Sequence, residues 1–416
     1  MKHIYTSVDI GSDSIKIVVC ELFQNKLNLL AATSYKSRGI KKGLITNVEL
    51  ASKSLKEALF EVEGMLGIQI KKVIASVPSY FAEYAVVKGD TEITSEDREV
   101  TSDDILKAIQ NATASKELEN REVVTVIPVD FRLDGATGIK DPTGKTGKDL
   151  SVRSILASTH KKNVYSVIGL FDAIGIEVVD ISLNNIGDLC AFKNKDIDKK
   201  IGAIVNIGSE TTTVSLYNRG IIVKSSVINM GGKNIDNDIS YMYKTDSVTA
   251  NKLKHKFALA HKRNANVSDT VEITTSVDES LKINQFEISE IVSSRLEEIL
   301  NLAKKEMNIL TTKRIDYIII TGGTSNMPDI ELIATEVLGK NISIGNIKLL
   351  GIRNNKYSSC VGNIVYFISR LKLRGKNYSM IDNEEASELA AVRKSSLETA
   401  NDSVLGKLFG YFFSEL

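Results

Sequence analysis

The chain has 416 residues, 43% hydrophobic and 25% charged, with a formal net charge of +1. That length supports two or more cores, and the balance lacks the basic excess that nucleic-acid binding favours, so nucleic acid is not an expected partner. Cys20, Cys190 and Cys360 are isolated and odd in number, which excludes full disulfide pairing and zinc-site spacing. The histidines are as scattered, and no nucleophile stands beside them in a catalytic motif, so no catalytic residue is expected.

Met1 to Thr6 runs into an apolar strand without a signal-peptide pattern, which predicts retention in the cytoplasm. Ile4 to Ile10, the polar turn Gly11 to Ser14 and the apolar run Ile15 to Cys20 predict a hairpin whose turn suits a phosphate wrapped by backbone N–H groups. Thr101 to Asp104 opens like a helix start, and Val123 to Phe131 alternates as a strand. Gly138 to Thr146 resembles a P-loop but has five residues, one a proline, between its glycines where four are required, so it reads as a structured loop.

The hairpin design returns in Ile201 to Ile207, Gly208 to Glu210 and Thr211 to Tyr217. Such an internal duplication predicts two lobes that grip a nucleotide from both sides of a shared cleft. From Asn234 to Met307 the chain reads as helical and charged, with apolar spacing of helical period in Asp246 to His261 and Ile288 to Met307. Asp316 to Thr321 reads as a strand that breaks at Gly322 and Gly323 before a helix starting near Pro328. The missing side chains would let an adenine ring lie on the main chain.

Lys376 to Asp402 is polar, lacks a sustained apolar repeat and reads as a flexible linker. In the final segment, helical spacing places Val404, Leu405, Leu408, Phe409, Tyr411, Phe412, Phe413 and Leu416 on one arc, opposite Gly406, Lys407, Gly410 and Ser414. The segment is too short to span a bilayer, which takes roughly 20 apolar residues. It suits burial in a membrane surface or against a partner.

Asp9 to Ser12, Asn206 to Thr213 and Thr321 to Ser325, in this order and spacing, resemble the two phosphate motifs and the adenosine motif of the actin, sugar-kinase and chaperone superfamily. Within it the chain is similar along nearly its whole length to the FtsA family of bacterial cell-division proteins. Asp141 to Gly147, Met230 to Ile239, Ala250 to Lys254, Arg295 to Ile299 and the amphipathic tail carry that pattern. The resemblance implies an α/β, actin-like two-lobed nucleotide-binding fold of duplicated ribonuclease H-like domains. Two small subdomains are inserted, and a C-terminal amphipathic helix hangs on a flexible linker. The implied divisions are a first lobe (1–83, 164–190 and a closing helix, 355–374), a self-association subdomain (84–163), a second lobe (191–232 and 308–354), a partner-binding subdomain (233–307), a linker (375–402) and a membrane helix (403–416).

The same resemblance implies that ATP and Mg²⁺ bind through Asp9, Gly11, Ser12, Asp13, Ser14 and Lys16 on one side and Asn206, Gly208, Ser209, Glu210, Thr211 and Thr212 on the other. Asp9 would hold the metal through water. Gly231, Gly232, Asn251, Lys252, Gly322, Gly323 and Thr324 would complete the site. Asn206 stands where the superfamily usually has Asp, Glu210 replaces a glycine and Asn251 replaces a ribose-contacting Glu; these departures predict binding with at most slow hydrolysis. Arg295 and Glu298 match a motif that receives the C-terminal peptide of FtsZ, and further implied partners are the protein itself in filaments and membrane lipids. The implied location is peripheral, on the cytoplasmic side of the cell membrane at the division site. Alternatives on the same fold are a pilus-assembly ATPase and a small-molecule kinase.

Overall fold

The computed structural model describes residues 3–114 and 118–381. The expected membrane residues Val404, Leu405, Leu408, Phe409, Phe412, Phe413 and Leu416 lie outside them.

Three antiparallel strands open the chain, β1 (His3–Ile10), β2 (Ser14–Phe23) and β3 (Lys26–Lys36). A two-stranded ribbon follows, β4 (Ile40–Lys41) with β5 (Leu44–Ile45). Helix α1 (Val48–Leu66) starts where the Asn47 side chain accepts from the Leu50 N–H and stops at Gly67 in the left-handed region (φ 74°), the conformation glycine adopts without strain. Its buried Ala51, Leu55, Ala58, Leu59, Val62 and Leu66 recur at helical spacing and cover one face of the sheet. Strand β6 (Lys72–Val77) joins β1 in parallel.

The chain then leaves this sheet for β7 (Glu83–Glu92), α2 (Ser102–Ala114), β8 (Arg121–Leu133), β9 (Ala136–Ile139) and β10 (Asp149–His160). These strands form a separate sheet in the order β7-β10-β8-β9, with its own core around Ile105, Phe131, Leu150 and Leu156. Helix α2 begins in a reciprocal cap: the Thr101 N–H and hydroxyl both donate to Asp104 Oδ2, at 2.9 and 2.7 Å. Helix α3 (Lys161–Asp172), strand β11 (Glu177–Leu183) and helix α4 (Asn184–Phe192) return to the first lobe and complete a sheet ordered β11-β6-β1-β2-β3.

The second lobe repeats that plan. Strands β12 (Ile201–Ile207), β13 (Thr212–Asn218) and β14 (Ile221–Ile228) are antiparallel. After them come α5 (Gly232–Tyr243), α6 (Ser247–Lys256), the hairpin β15 (Thr270–Thr274) with β16 (Ser280–Asn284), and α7 (Gln285–Leu310). Strand β17 (Tyr317–Thr321), helix α8 (Ile330–Leu338) and strand β18 (Ile342–Ile344) finish the sheet in the order β14-β13-β12-β17-β18. In each lobe three antiparallel strands continue into two parallel ones, which is the duplicated ribonuclease H-like arrangement. Helix α9 (Ser358–Leu373) closes the molecule by packing on α4, with Gly362 and Gly187 at their crossing.

Four expectations need correction. The stretch read as helical from Asn234 to Met307 contains the β15–β16 hairpin, where Val271, Ile273 and Ile283 turn inward against the second lobe's core. Helix α8 starts at Ile330, after a short 3₁₀ turn over Gly323–Asn326 and a left-handed Asp329 (φ 64°), so Pro328 precedes the helix. The implied divisions at 163, 190 and 307 fall inside α3, α4 and α7, whereas that at 232 coincides with the start of α5.

The fourth correction concerns the linker expected from 375. Residues beyond α9 fold back onto β1: the Met380 N–H donates to the Ile4 carbonyl (2.9 Å), and the Ile4 N–H donates to Ser379 Oγ (3.1 Å). Met380 and Ile381 are each 5% exposed and join the two cores on either face of the first sheet. The polar composition concealed this, since two apolar residues suffice to dock a strap. A chain ending after Leu373 should be less stable than one ending after Ile381 by on the order of 3 kcal/mol, given ~1.5–3 kcal/mol for each apolar side chain buried and the opposing cost of ordering the strap. Urea unfolding of the two truncated chains measures this, and equal midpoints would refute it.

Candidate functional site

The turns at the ends of the two hairpins face each other across a cleft of about 400 Å³ between the lobes. Gly11 N–H donates to the Ser14 carbonyl (3.2 Å) in the first turn, and Gly208 N–H donates to the Thr211 carbonyl (2.9 Å) in the second. The second turn is braced from below by the start of α5, whose Gly232 and Lys233 N–H groups donate to the Gly208 and Ser209 carbonyls at 2.9 and 2.7 Å. A Cβ on Gly231 would come within 2.6 Å of both carbonyls, so this approach requires glycine.

Asp9, at the end of β1, is 5% exposed and fully engaged. Its Oδ2 pairs with Lys16 Nζ at 2.9 Å, while Oδ1 accepts from Ser76 Oγ (2.7 Å) and Asn184 Nδ2 (2.9 Å). Burial works against the Lys16 charge, but the Asp9 carboxylate prevails and holds the Lys16 pKa above its ordinary value. Asn184 Oδ1 is buried without a hydrogen-bond partner, an acceptor left beside Asp9. Opposite, Asn206 Nδ2 donates to Asp188 Oδ2 at 2.7 Å, and Asp188 Oδ1 accepts from the Ser358 and Ser359 hydroxyls at 2.6 and 2.9 Å. Burial lifts the Asp188 carboxyl to about 6; its three donors pull downward and the Asp9 charge pushes it up.

Deeper in the second lobe, Asp236 of α5 organises two side chains of α6. Lys254 Nζ lies 2.8 Å from Asp236 Oδ1 and donates to the Gly232 carbonyl at 3.0 Å, while Asn251 Nδ2 reaches Asp236 Oδ2 at 3.1 Å. Gly322 takes φ 91°, and a Cβ there would lie 2.4 Å from Asn206 Oδ1, so the strand end folds tightly over the second turn. Lys356 lines the same cleft, its pKa lowered by burial and then by the charge of Lys16.

Of the residues implied by sequence, Asp9, Gly11, Ser12, Asp13, Ser14, Lys16, Asn206, Gly208, Ser209, Glu210, Thr211, Gly232, Asn251, Gly322, Gly323 and Thr324 line this one cleft. Three do not. Thr212 turns inward and donates to the Met230 carbonyl (2.9 Å), because strand alternation sends the next residue, Thr213, to the cleft. Gly231 serves the packing of the second turn, and Lys252 faces solvent one helical step from Asn251. Lys254, three residues after Asn251, shares its helix face and was legible from that spacing. Asp188, Asn184 and Lys356 carried no signal, since only the tertiary fold brings them here.

A second groove of about 360 Å³ runs between α5 and α7, lined by Asp238, Tyr241, Met242, Ile291, Arg295 and Glu298 among others. Tyr241 is 84% exposed and Met242 61%. Arg295 and Glu298, expected from the resemblance to receive a peptide, are paired with each other, and Arg295 also holds Asp238 through Nε (2.6 Å) and Nη2 (2.9 Å). Their one-turn spacing on α7 makes that pairing geometrically natural.

Comparison with known proteins gives consistent results. The family described as Cell division protein FtsA matches residues 203–362, and the SHS2 domain inserted in FtsA matches residues 82–157. A Cell division protein FtsA of Bacillus subtilis is 28% identical over 396 residues, 94% of this chain and 90% of that protein. Among solved structures, a PilM–PilN type IV pilus biogenesis complex aligns with TM-score 0.57 at 14% identity, over 87% of this chain and 98% of that one. MreB5 of Spiroplasma citri, there bound to ADP, aligns with TM-score 0.54 at 15% identity, over 90% of this chain and 99% of that one. These two likenesses show the fold, which is actin-like. Among the described residues no helix is long and apolar enough to cross a membrane.

Proposed function

Because the chain belongs to the FtsA family of bacterial cell-division proteins, we propose that it binds ATP with magnesium between its lobes, assembles into filaments and ties FtsZ to the cytoplasmic face of the membrane at the division site. The observation that carries the nucleotide reading is the pair of glycine turns, one from each copy of the repeated topology, converging on a cleft that also holds Lys16, Lys254 and Lys356. Backbone N–H groups and lysines are the donors an anionic phosphate chain takes. Asp9 and the unpartnered Asn184 Oδ1 fit a hydrated magnesium ion, which keeps its waters and needs few protein ligands. When bound, the metal would offset phosphate charge. Gly323, where a Cβ would meet nothing nearer than Lys356 Cβ at 4.0 Å, leaves main chain bare for the base.

Hydrolysis is slow in this reading because the Asn206 amide, tied to Asp188, cannot take a proton from water. Calorimetry with ATP and magnesium, paired with phosphate release, tests the proposal. Saturable binding is expected with turnover well below the roughly 1–100 per second of a kinase; absent binding or kinase-like turnover would overturn it.

The α5–α7 groove suits the FtsZ C-terminal peptide, with apolar contact over Tyr241 and Met242 and an outer carboxylate, Glu298, for a basic residue. Arg295→Glu would set three acids together, Asp238, Glu298 and the new carboxylate, and distort the groove. Peptide affinity should fall about tenfold or more, 1.4 kcal/mol per decade, with nucleotide binding unchanged; fluorescence anisotropy with a labelled peptide reads this. Filament contacts are assigned to the inserted sheet and membrane attachment to the apolar arc of 403–416. Vesicle flotation of the full chain against one ending at Asp402 checks the latter, and equal flotation would place the anchor elsewhere.

A further inference from the structure

Glu210 is an acid set into the second glycine turn, and its carboxylate is occupied. Oε2 accepts the Lys42 N–H at 2.6 Å and Oε1 pairs with Lys233 Nζ at 2.8 Å, and the Ser12 hydroxyl is among the groups that favour its charge. These groups come from three places. Lys42 sits in the turn between β4 and β5 of the first lobe, Ser12 in the first hairpin's turn, and Lys233 in the first turn of α5. The Ser12 oxygen in turn accepts the Gly43 N–H at 2.7 Å, which fixes the β4–β5 turn against the first hairpin. The Glu210 side chain is only 16% exposed. Burial opposes its charge, yet Lys233, Lys42 and Ser12 together hold its pKa below the ordinary carboxylate value.

A backbone N–H from the first lobe and an ammonium from the second, converging between two phosphate-type turns, are donors that a terminal phosphoryl group would use. Here a side-chain anion already uses them. A second anion cannot share these donors without like-charge repulsion in a partly desolvated space. The remaining turn donors, and Lys16, Lys254 and Lys356 deeper in the cleft, do not touch Glu210 and stay available for the inner phosphates.

We propose that Glu210 is a specificity-determining residue: it fills the outermost phosphate subsite from the protein side, so that the cleft accepts a nucleoside diphosphate directly and a nucleoside triphosphate only by expelling the carboxylate. This inference rests on the nucleotide reading of the cleft and adds which phosphate length it favours. Glu210 also joins the lobes through the Lys42 N–H, so a diphosphate complex keeps that bridge and a triphosphate complex breaks it.

The test is calorimetry of the full chain with magnesium and either ADP or a non-hydrolysable ATP analogue, on the natural protein, Glu210→Gln and Glu210→Gly. The natural protein should bind ADP at least about tenfold more tightly than the triphosphate analogue. Both variants should gain at least about tenfold for the triphosphate while their ADP affinity moves less than about threefold. Equal affinities for the two nucleotides in the natural protein, or variants that change both alike, would overturn the inference while leaving the nucleotide reading intact. Absence of binding by all three proteins, each shown folded by its thermal melt, would overturn both. The glutamine variant keeps the side chain's volume, so it guards against a fold defect in the glycine variant.

Discussion

Replacing Gly362 with alanine should lower stability by about 3 kcal/mol or more, at or beyond the upper end of ordinary overpacking. A Cβ at that position would stand 1.6 Å from the Gly187 carbonyl oxygen and 2.9 Å from the Ala191 nitrogen, both main-chain atoms of α4. No side chain can swing aside to relieve such a clash, so the helices must separate. The reverse substitution meets the same obstacle, since a Cβ on Gly187 would lie 2.6 Å from the Ser359 carbonyl. Gly169→Ala, on the exposed side of α3 with nothing within 4 Å of its Cβ, is the control and should stabilise by roughly 0.5–1 kcal/mol. Paired thermal melts decide; a Gly362→Ala protein that melts with the natural one would show that α4 and α9 do not cross this closely.

Asp188→Asn should cost about 1–3 kcal/mol, because the Asn206 amide loses its acceptor and faces another NH₂ while the two serine hydroxyls keep theirs. The double exchange, Asp188→Asn with Asn206→Asp, restores a donor facing an acceptor and should recover most of that loss. It also returns an acid to the strand position where the superfamily carries one, so phosphate release should rise above that of the natural protein. The pH dependence has a definite sign. Burial raises the Asp188 pKa from 3.8 to about 6, so folding takes up a proton in that interval. Its contribution to stability is full below pH 4 and is lost as pH rises through 6. Stability of the natural protein relative to Asp188→Asn should therefore decline between pH 4 and 6, and a difference that stays flat across that interval would contradict the perturbed carboxyl.

Both hairpins and their turns were legible because each depends on local chemistry: alternation that buries one face, and glycines where backbone must be bare. Their repetition made the two-lobed plan legible as well. The β15–β16 hairpin was not legible, although Val271 and Ile273 alternate with the polar Thr270, Glu272 and Thr274, because the surrounding charge and helical periodicity dominated a longer window. Lys254 was within reach of helical spacing, whereas Asp188 was not: its partners Asn206, Ser358 and Ser359 are 18, 170 and 171 residues away, and only the α4–α9 crossing assembles them. Arg295 shows the complementary limit, since sequence placed it on the groove but could not reveal that Asp238 and Glu298 already neutralise it.

The strap beyond α9 has a mechanical consequence. Any tension applied to the chain past residue 381 enters the body through Ile381 and Met380, and from there reaches the Ile4 end of β1. The same strand carries Asp9 near its other end, where Lys16, Ser76 and Asn184 grip it. Pull and cleft are thus two ends of one central strand, flanked by β2 and β6 and stiffened by their ladders. A force arriving at the strap meets first the strap's own hydrogen bonds to Ile4, and the ladders of β1 bear only what those bonds pass on. What the strap transmits to β1 is thus delivered along that strand to Asp9.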